Sequence, residues 1–282
     1  MTSGKKTKAT RSSVAAARSS VVANKPKPWG TIVAVIAVLA LAGGVFGYAY
    51  SQISAKNARE AALAKWVPSD SNKDPSSQIS GVVKKDYPAG KHVQPTQRVA
   101  YDQSPPFGGP HDGFWPGCNG VVYPKAVRTE NMVHGLEHGA VWVAYNPDKV
   151  KGADLDSLSK KVSGQPYMMM SPYPGLDKAV SLQSWGHQLK LDSATDERID
   201  EFVKSLRQNQ YTYPEIGASC DAGGPGQFDQ DNPPPFVADK PGADAVPMDG
   251  GTAATSEQPG AAPQQQAPTG QPSAPASGTP SG

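Results

Sequence analysis

The chain has 282 residues, with 28 Pro and 29 Gly against only 37% apolar residues, so much of it cannot pack and one modest domain with appendages is expected rather than two. The formal net charge of +2 conceals a split: residues 1–27 hold seven Lys or Arg and no acid, which leaves the remainder net negative and argues against a nucleic-acid-binding face. Two cysteines are too few for a disulfide-dense miniprotein or a four-thiolate zinc site.

Residues 1–28 read as a basic cytoplasmic tail. Residues 29–50, from Trp29 to Tyr50, are 22 positions without a charge. At the helical rise this run suffices for a bilayer core of about 30 Å, which predicts a single transmembrane helix. Lys5, Lys6, Lys8, Arg11, Arg18, Lys25 and Lys27 precede it, so the positive-inside rule keeps the N-terminus in the cytoplasm and exports the rest. A cleaved signal peptide is the competing reading, but the run exceeds the usual apolar region of about 7–15 residues and ends in Tyr48, Ala49 and Tyr50 without a small-residue cleavage site. Residues 51–66 lack Pro and Gly and predict a helical stalk, and residues 67–78 are a polar linker, so that residues 51–78 lead to a globular body over 79–221.

Within the body, His92 lies in a polar, extended stretch with no partner in sequence. The turn-forming string Gly108-Gly109-Pro110 fixes the backbone ahead of His111 and exposes that side chain as a candidate imidazole ligand. Val121 to Tyr123 is a strand candidate. The segment from Thr129 to Gly139 predicts a two-turn helix, with Asn131 or Thr129 as cap and Gly139 as left-handed stop. On such a helix His134 and His138, four apart, share one face, and Glu137 stands between them, able to orient an imidazole, ligate, or act as a base. Ala140 to Tyr145 reads as a strand, Leu155, Leu158 and Val162 as a helix stopped by Gly164, and Tyr167 to Ser171 and Lys178 to Ser184 as further strands. His187 reads as a surface or structural residue. Ile199, Phe202, Val203 and Leu206 recur at helical spacing behind Ser193 as N-cap. Helices and short strands mix without βαβ regularity, which predicts an α+β body with a small mixed sheet.

Cys118 and Cys220 bracket most of that body, and outside the membrane they are expected to pair; the alternative leaves one as a thiolate ligand or nucleophile. Residues 222–282 turn to Gly, Pro, Ala, Gln, Ser and Thr, a composition that cannot offset chain entropy and predicts a disordered tail.

The string His134-Gly135-Leu136-Glu137-His138 matches the inverted zinc-peptidase pattern H-x-x-E-H, although the downstream glutamate that completes such sites has no obvious equivalent. With His111 it offers three imidazoles, suited to zinc or copper. Met132 and the run Met168-Met169-Met170 would favour copper if thioethers joined in; core packing is the plainer reading. No G-x-S-x-G, Walker loop or G-x-G-x-x-G is present.

Gly109-Pro110-His111, Cys118, Tyr123 and the string His134, Leu136, Glu137, His138, Gly139 leading into a hydrophobic strand resemble the Domain of Unknown Function 3105 family of actinobacterial exported proteins, over about Asp86 to Gly186. The sequence departs from that pattern at Asn119, which stands between Cys118 and Gly120. The resemblance implies a membrane-anchored exported domain and brings no chemistry with it. Two functions follow from the residues: a membrane-anchored domain binding copper or zinc through His111, His134, Glu137 and His138, or a non-enzymatic scaffold or envelope-complex subunit whose histidines are structural. A zinc-dependent hydrolase with Glu137 as catalytic base is a lesser alternative.

Overall fold

In the computed structural model the described residues are 28–224 and 226–256. The chain divides into two units, Met1–Ala58 and Arg59–Gly282. Helix α1 (Trp29–Leu63) runs through the uncharged stretch and on through the expected stalk, ending in a 3-10 turn at Ala64–Trp66. None of its residues is buried, and it is long and apolar enough to cross a membrane. The basic flank at residues 1–27 lies outside the described residues.

The second unit is built on a six-stranded mixed sheet. Its members are β1 (Val82–Lys84), β4 (Asn119–Val122), β5 (Val141–Tyr145), β6 (Met168–Pro172), β7 (Val180–Ser184) and β8 (His187–Leu191), in the order β1-β8-β7-β5-β6-β4. β5 and β4 each run parallel to β6, and the remaining pairs are antiparallel. Two further strands, β2 (Lys91–Val93) and β3 (His111–Asp112), pair in parallel in a separate three-stranded sheet.

Strand alternation splits the core in two. Val141, Val143, Met168 and Met170 join an aliphatic cluster, while Trp142, Ala144 and Met169 face an aromatic one. The methionine run is therefore divided between two cores, as core packing requires. The aliphatic side is covered by α3 (Ala153–Val162) through Leu158 and Val162, and by α4 (Arg198–Leu206) through Ile199, Phe202 and Leu206. The expected cap of α4 is displaced: Ser193 Oγ accepts from Thr195 N at 3.1 Å, while Asp196 Oδ1 accepts from Arg198 N at 3.0 Å. Glu197 occupies the cap position itself and makes no side-chain capping bond.

Two boundaries differ from the composition reading. Residues 67–78 fold against the body instead of linking to it. Pro75–Gln78 form a 3-10 turn capped by Asp74, whose carboxylate also meets Lys84 and His187, and Trp66 is buried in the aliphatic core. The tail is likewise ordered further than residue 221: Phe228 and Val246 are buried, and β9 (Thr255–Ser256) pairs antiparallel with β2. A few apolar anchors and one ladder hold a segment whose average composition argues for disorder. Residues 257–282, the rest of that expected tail, lie outside the described residues.

Candidate metal centre

Helix α2 (Thr129–Glu137) is buried along its whole length between the sheet and the segments that precede it. Its cap differs from the expectation. Thr129 is already helical, Arg128 occupies the cap position without a side-chain capping bond, and Asn131 Nδ2 instead donates to the Phe114 carbonyl at 2.7 Å. Gly135 is accounted for by packing: a Cβ there would stand 2.8 Å from Met169 Cε, the flexible end of that side chain, which would have to shift to admit it. Gly139, at φ +88°, ends the helix as expected, with its N–H donating to the Leu136 carbonyl at 3.0 Å.

The spacing of His134, Glu137 and His138 turns all three side chains to one face, and the protein closes other residues over them. His111 is not exposed by its glycine-rich turn. It is fully buried in β3, where the backbone register sets it opposite His92 of β2. The ring centroids of His111 and His134 are 4.6 Å apart, those of His134 and His138 also 4.6 Å, and those of His92 and His134 5.0 Å. Among the described residues two groups have donor atoms all within 4.8 Å of one another: His92, His111, His134 and Glu137, and His134, His138 and Glu215. Of the four residues expected at the site, His111, His134 and Glu137 fall in the first group and His138 in the second, with His134 shared; His92 and Glu215, which sequence reasoning missed, complete the two. His92 gave no signal because its contact depends on a two-residue ladder, and Glu215 none because it arrives from a loop after α4.

Each motif imidazole is held from behind. His111 Nδ1 faces the Gly109 carbonyl at 2.8 Å, His134 Nδ1 the Asp112 carbonyl at 2.6 Å, and His138 Nδ1 the Ser219 carbonyl at 2.6 Å. A carbonyl only accepts, so each Nδ1 carries a proton, and the only place where such a ring can offer a lone pair is Nε2. His134 Nε2 is buried without a hydrogen-bond partner. His111 Nε2 lies 2.7 Å from Glu137 Oε2, and His138 Nε2 lies 3.1 Å from Glu215 Oε2. Glu137 Oε1 is fixed separately, accepting from Gly90 N at 2.7 Å.

Burial, aided by the neighbouring imidazoles, holds His134 well below the usual histidine range, and burial with the nearby His111 pushes His92 down to about 4. Burial pulls His111 the same way, but the adjacent Glu137 carboxylate overrides it and raises that ring. At neutral pH, then, His92 and His134 are uncharged bases.

The surroundings are built to keep this arrangement. Asp112, whose carbonyl orients His134, is paired through its carboxylate with buried Arg128 and caps Phe114 N at 2.8 Å. Cys118 and Cys220 form the expected disulfide, which removes the thiolate alternative. Cys118 N also donates to the Cys220 carbonyl at 2.9 Å, tying down the segment whose Ser219 carbonyl orients His138. Trp115 covers the motif, its ring 5.3 Å from His134 and 4.8 Å from His138. His187 is structural, with Nδ1 on the Trp185 carbonyl at 2.7 Å and Nε2 near Asp74.

Residues 92–222 match the family model described as protein of unknown function (DUF3105). Most of the body is thus similar to the DUF3105 family. The match reaches further than the motif resemblance and takes in Cys220, with His92 as its first residue and Glu215 inside it, so both groups lie within the matched residues. Helix α1, strand β1 and the ordered arm after residue 222 lie outside it. No curated protein and no solved structure matches the chain.

Proposed function

We propose that the body binds one transition-metal ion, zinc or copper, in a buried position formed by His92, His111, His134 and Glu137, with His138 adjoining. The observation that carries this reading is the tautomer pattern. Three imidazoles turn their protonated Nδ1 atoms outward to backbone carbonyls and their Nε2 atoms inward, and His134 Nε2 has no donor to accept from. A buried acceptor left without a partner costs about 1–3 kcal/mol, a cost that a cation among these atoms removes. Imidazole and carboxylate donors suit zinc or oxidised copper, and the assignment of the methionine run to the cores gives no thioether argument for reduced copper. The apolar helix and positive flank support anchoring by a single span with the N-terminus in the cytoplasm and the domain outside.

The scaffold reading draws on the close pairing of His111 with Glu137 and of His138 with Glu215, which buried structural ion pairs would also show. It leaves His134 unexplained. A hydrolase with Glu137 as base has less support, because one of its oxygens is committed to Gly90 N and the other faces His111. The test is metal content of the full chain, purified oxidised in detergent without a histidine tag. Near-stoichiometric zinc or copper that His134→Ala removes is expected. A protein that stays metal-free after loading with either ion would make the histidines structural and turn the search to envelope partners.

A further inference from the structure

The two ligand groups overlap at one residue, and that overlap has a chemical limit. His134 Nδ1 is committed to the Asp112 carbonyl at 2.6 Å, so only Nε2 is available, and one lone pair serves one ion at a time. The group His92, His111, His134 and Glu137 and the group His134, His138 and Glu215 are therefore alternative positions for a single ion. Without His134 the second group keeps only one imidazole and one carboxylate, too few for a tight site of its own.

The two positions differ in access. His111, His134, Glu137 and His138 are fully buried and His92 is 4% exposed, whereas the Glu215 side chain is 16% exposed. Glu215 follows Tyr213 and Pro214, which line a cleft of about 410 Å³ together with Trp185 and Ala89. Trp185 sets its ring edge-on to His111 at 5.9 Å, and Ala89 precedes the Gly90 N–H that holds Glu137. Among the residues of the two groups Glu215 has the most exposed side chain, although its Oε2 atom facing His138 is itself buried.

Resting on the proposed metal function, we infer that His134, His138 and Glu215 form an outer, loading position from which a single divalent ion is handed inward. His134 stays bound throughout as the pivot. The ion exchanges His138 and Glu215 for His111, His92 and Glu137 while moving within one cluster, a ligand substitution with no change of oxidation state. Because the helix places His134 and His138 one turn apart on one face, the transfer needs no backbone movement.

The test is the kinetics of zinc uptake and release by the full chain in detergent, followed with a competing chromophoric chelator, for the wild type, Glu215→Gln and Glu137→Gln. In the wild type one equivalent is expected. Glu215→Gln should slow uptake and release together by about tenfold or more while leaving the final one equivalent and the affinity unchanged, since it acts on the route and not on the destination. Glu137→Gln should load at the normal early rate and then release faster, with weakened affinity. Unchanged final content in Glu215→Gln also shows that the variant is folded. Wild-type kinetics in Glu215→Gln, a loss of affinity confined to faster release there, or two equivalents in the wild type falling to one would each overturn the relay while leaving a metal site in place. A wild type that takes up no zinc or copper would overturn the metal function itself.

Discussion

The two faces of the central sheet are buried equally well but by opposite chemistry. On one, α3 and α4 lay Leu158, Val162, Ile199, Phe202 and Leu206 on Val141, Val143, Met168 and Met170, a layer with almost nothing to hydrogen-bond. On the other, α2 and its C-cap bury Glu130, Asn131, His134, Glu137 and His138, with Trp115 over the two histidines. A small domain does not place so many polar groups inside for stability alone, because each must be satisfied or costs free energy. The difference teaches that one face holds the fold and the other is held by it.

That division can be broken most sharply by Phe202→Ala. Removing a fully buried ring from the aliphatic face should cost about 3–5 kcal/mol in chemical denaturation. Metal bound per folded molecule should not change. If metal were lost in proportion to the destabilisation, the two faces would be one cooperative unit and the division would fail.

Joint replacement of Cys118 and Cys220 by Ser acts from the other side. The bridge spans a sequence separation of 102, and its loss is expected to cost about 2–5 kcal/mol. Here metal retention should fall as well, because the Ser219 carbonyl that orients His138 and the Asp221 carbonyl that accepts from Trp115 Nε1 at 2.8 Å both neighbour Cys220. Equal metal retention in reduced and oxidised protein would sink the supporting role of the bridge.

The aliphatic face was largely legible in the sequence and the polar one only in part, for a physical reason. Ile199, Phe202, Val203 and Leu206 announce α4 through periodicity, and Val141 to Tyr145 announce their strand by being uniformly apolar. The α2 motif was visible because its residues are four apart on one helix. His92 and Glu215 were not, since β2 has three residues, β3 two, and the loop after α4 carries no pattern. Their place is fixed by tertiary pairing, which local sequence does not encode. The ordered arm was missed likewise: its composition is that of a spacer, yet Phe228 and Val246 are buried and β9 pairs with β2 beside His92.

A smaller effect is expected where the two faces press closest. Gly135→Ala would gain helix propensity, but its Cβ would meet Met169 Cε at 2.8 Å and Sδ at 3.2 Å inside a filled core. A net loss of about 1–2 kcal/mol is expected in denaturant titration. A stabilised variant would mean that Met169 can withdraw and that helix and sheet are less tightly matched than the structure shows.

The smallest expected effect tests the edge of the aliphatic side, where the segment before the body is stapled down. Burial works against the Asp74 carboxylate, yet His187, Lys84 and Ser76 together hold it far below the usual range. A carboxyl more acidic when folded than when unfolded stabilises the fold at every pH above its unfolded value of about 4, and that contribution drains away as pH falls further towards the folded value. Asp74→Asn should therefore lower stability by about 1 kcal/mol near neutrality, the partial exposure of Lys84 keeping the figure small. The gap between variant and wild type should narrow below pH 4 in thermal melts. A gap that widened in acid would put the stabilising proton on the wrong side of the pair, and one absent at neutral pH would mean that the 3-10 turn and buried Trp66 pin the segment without the charge.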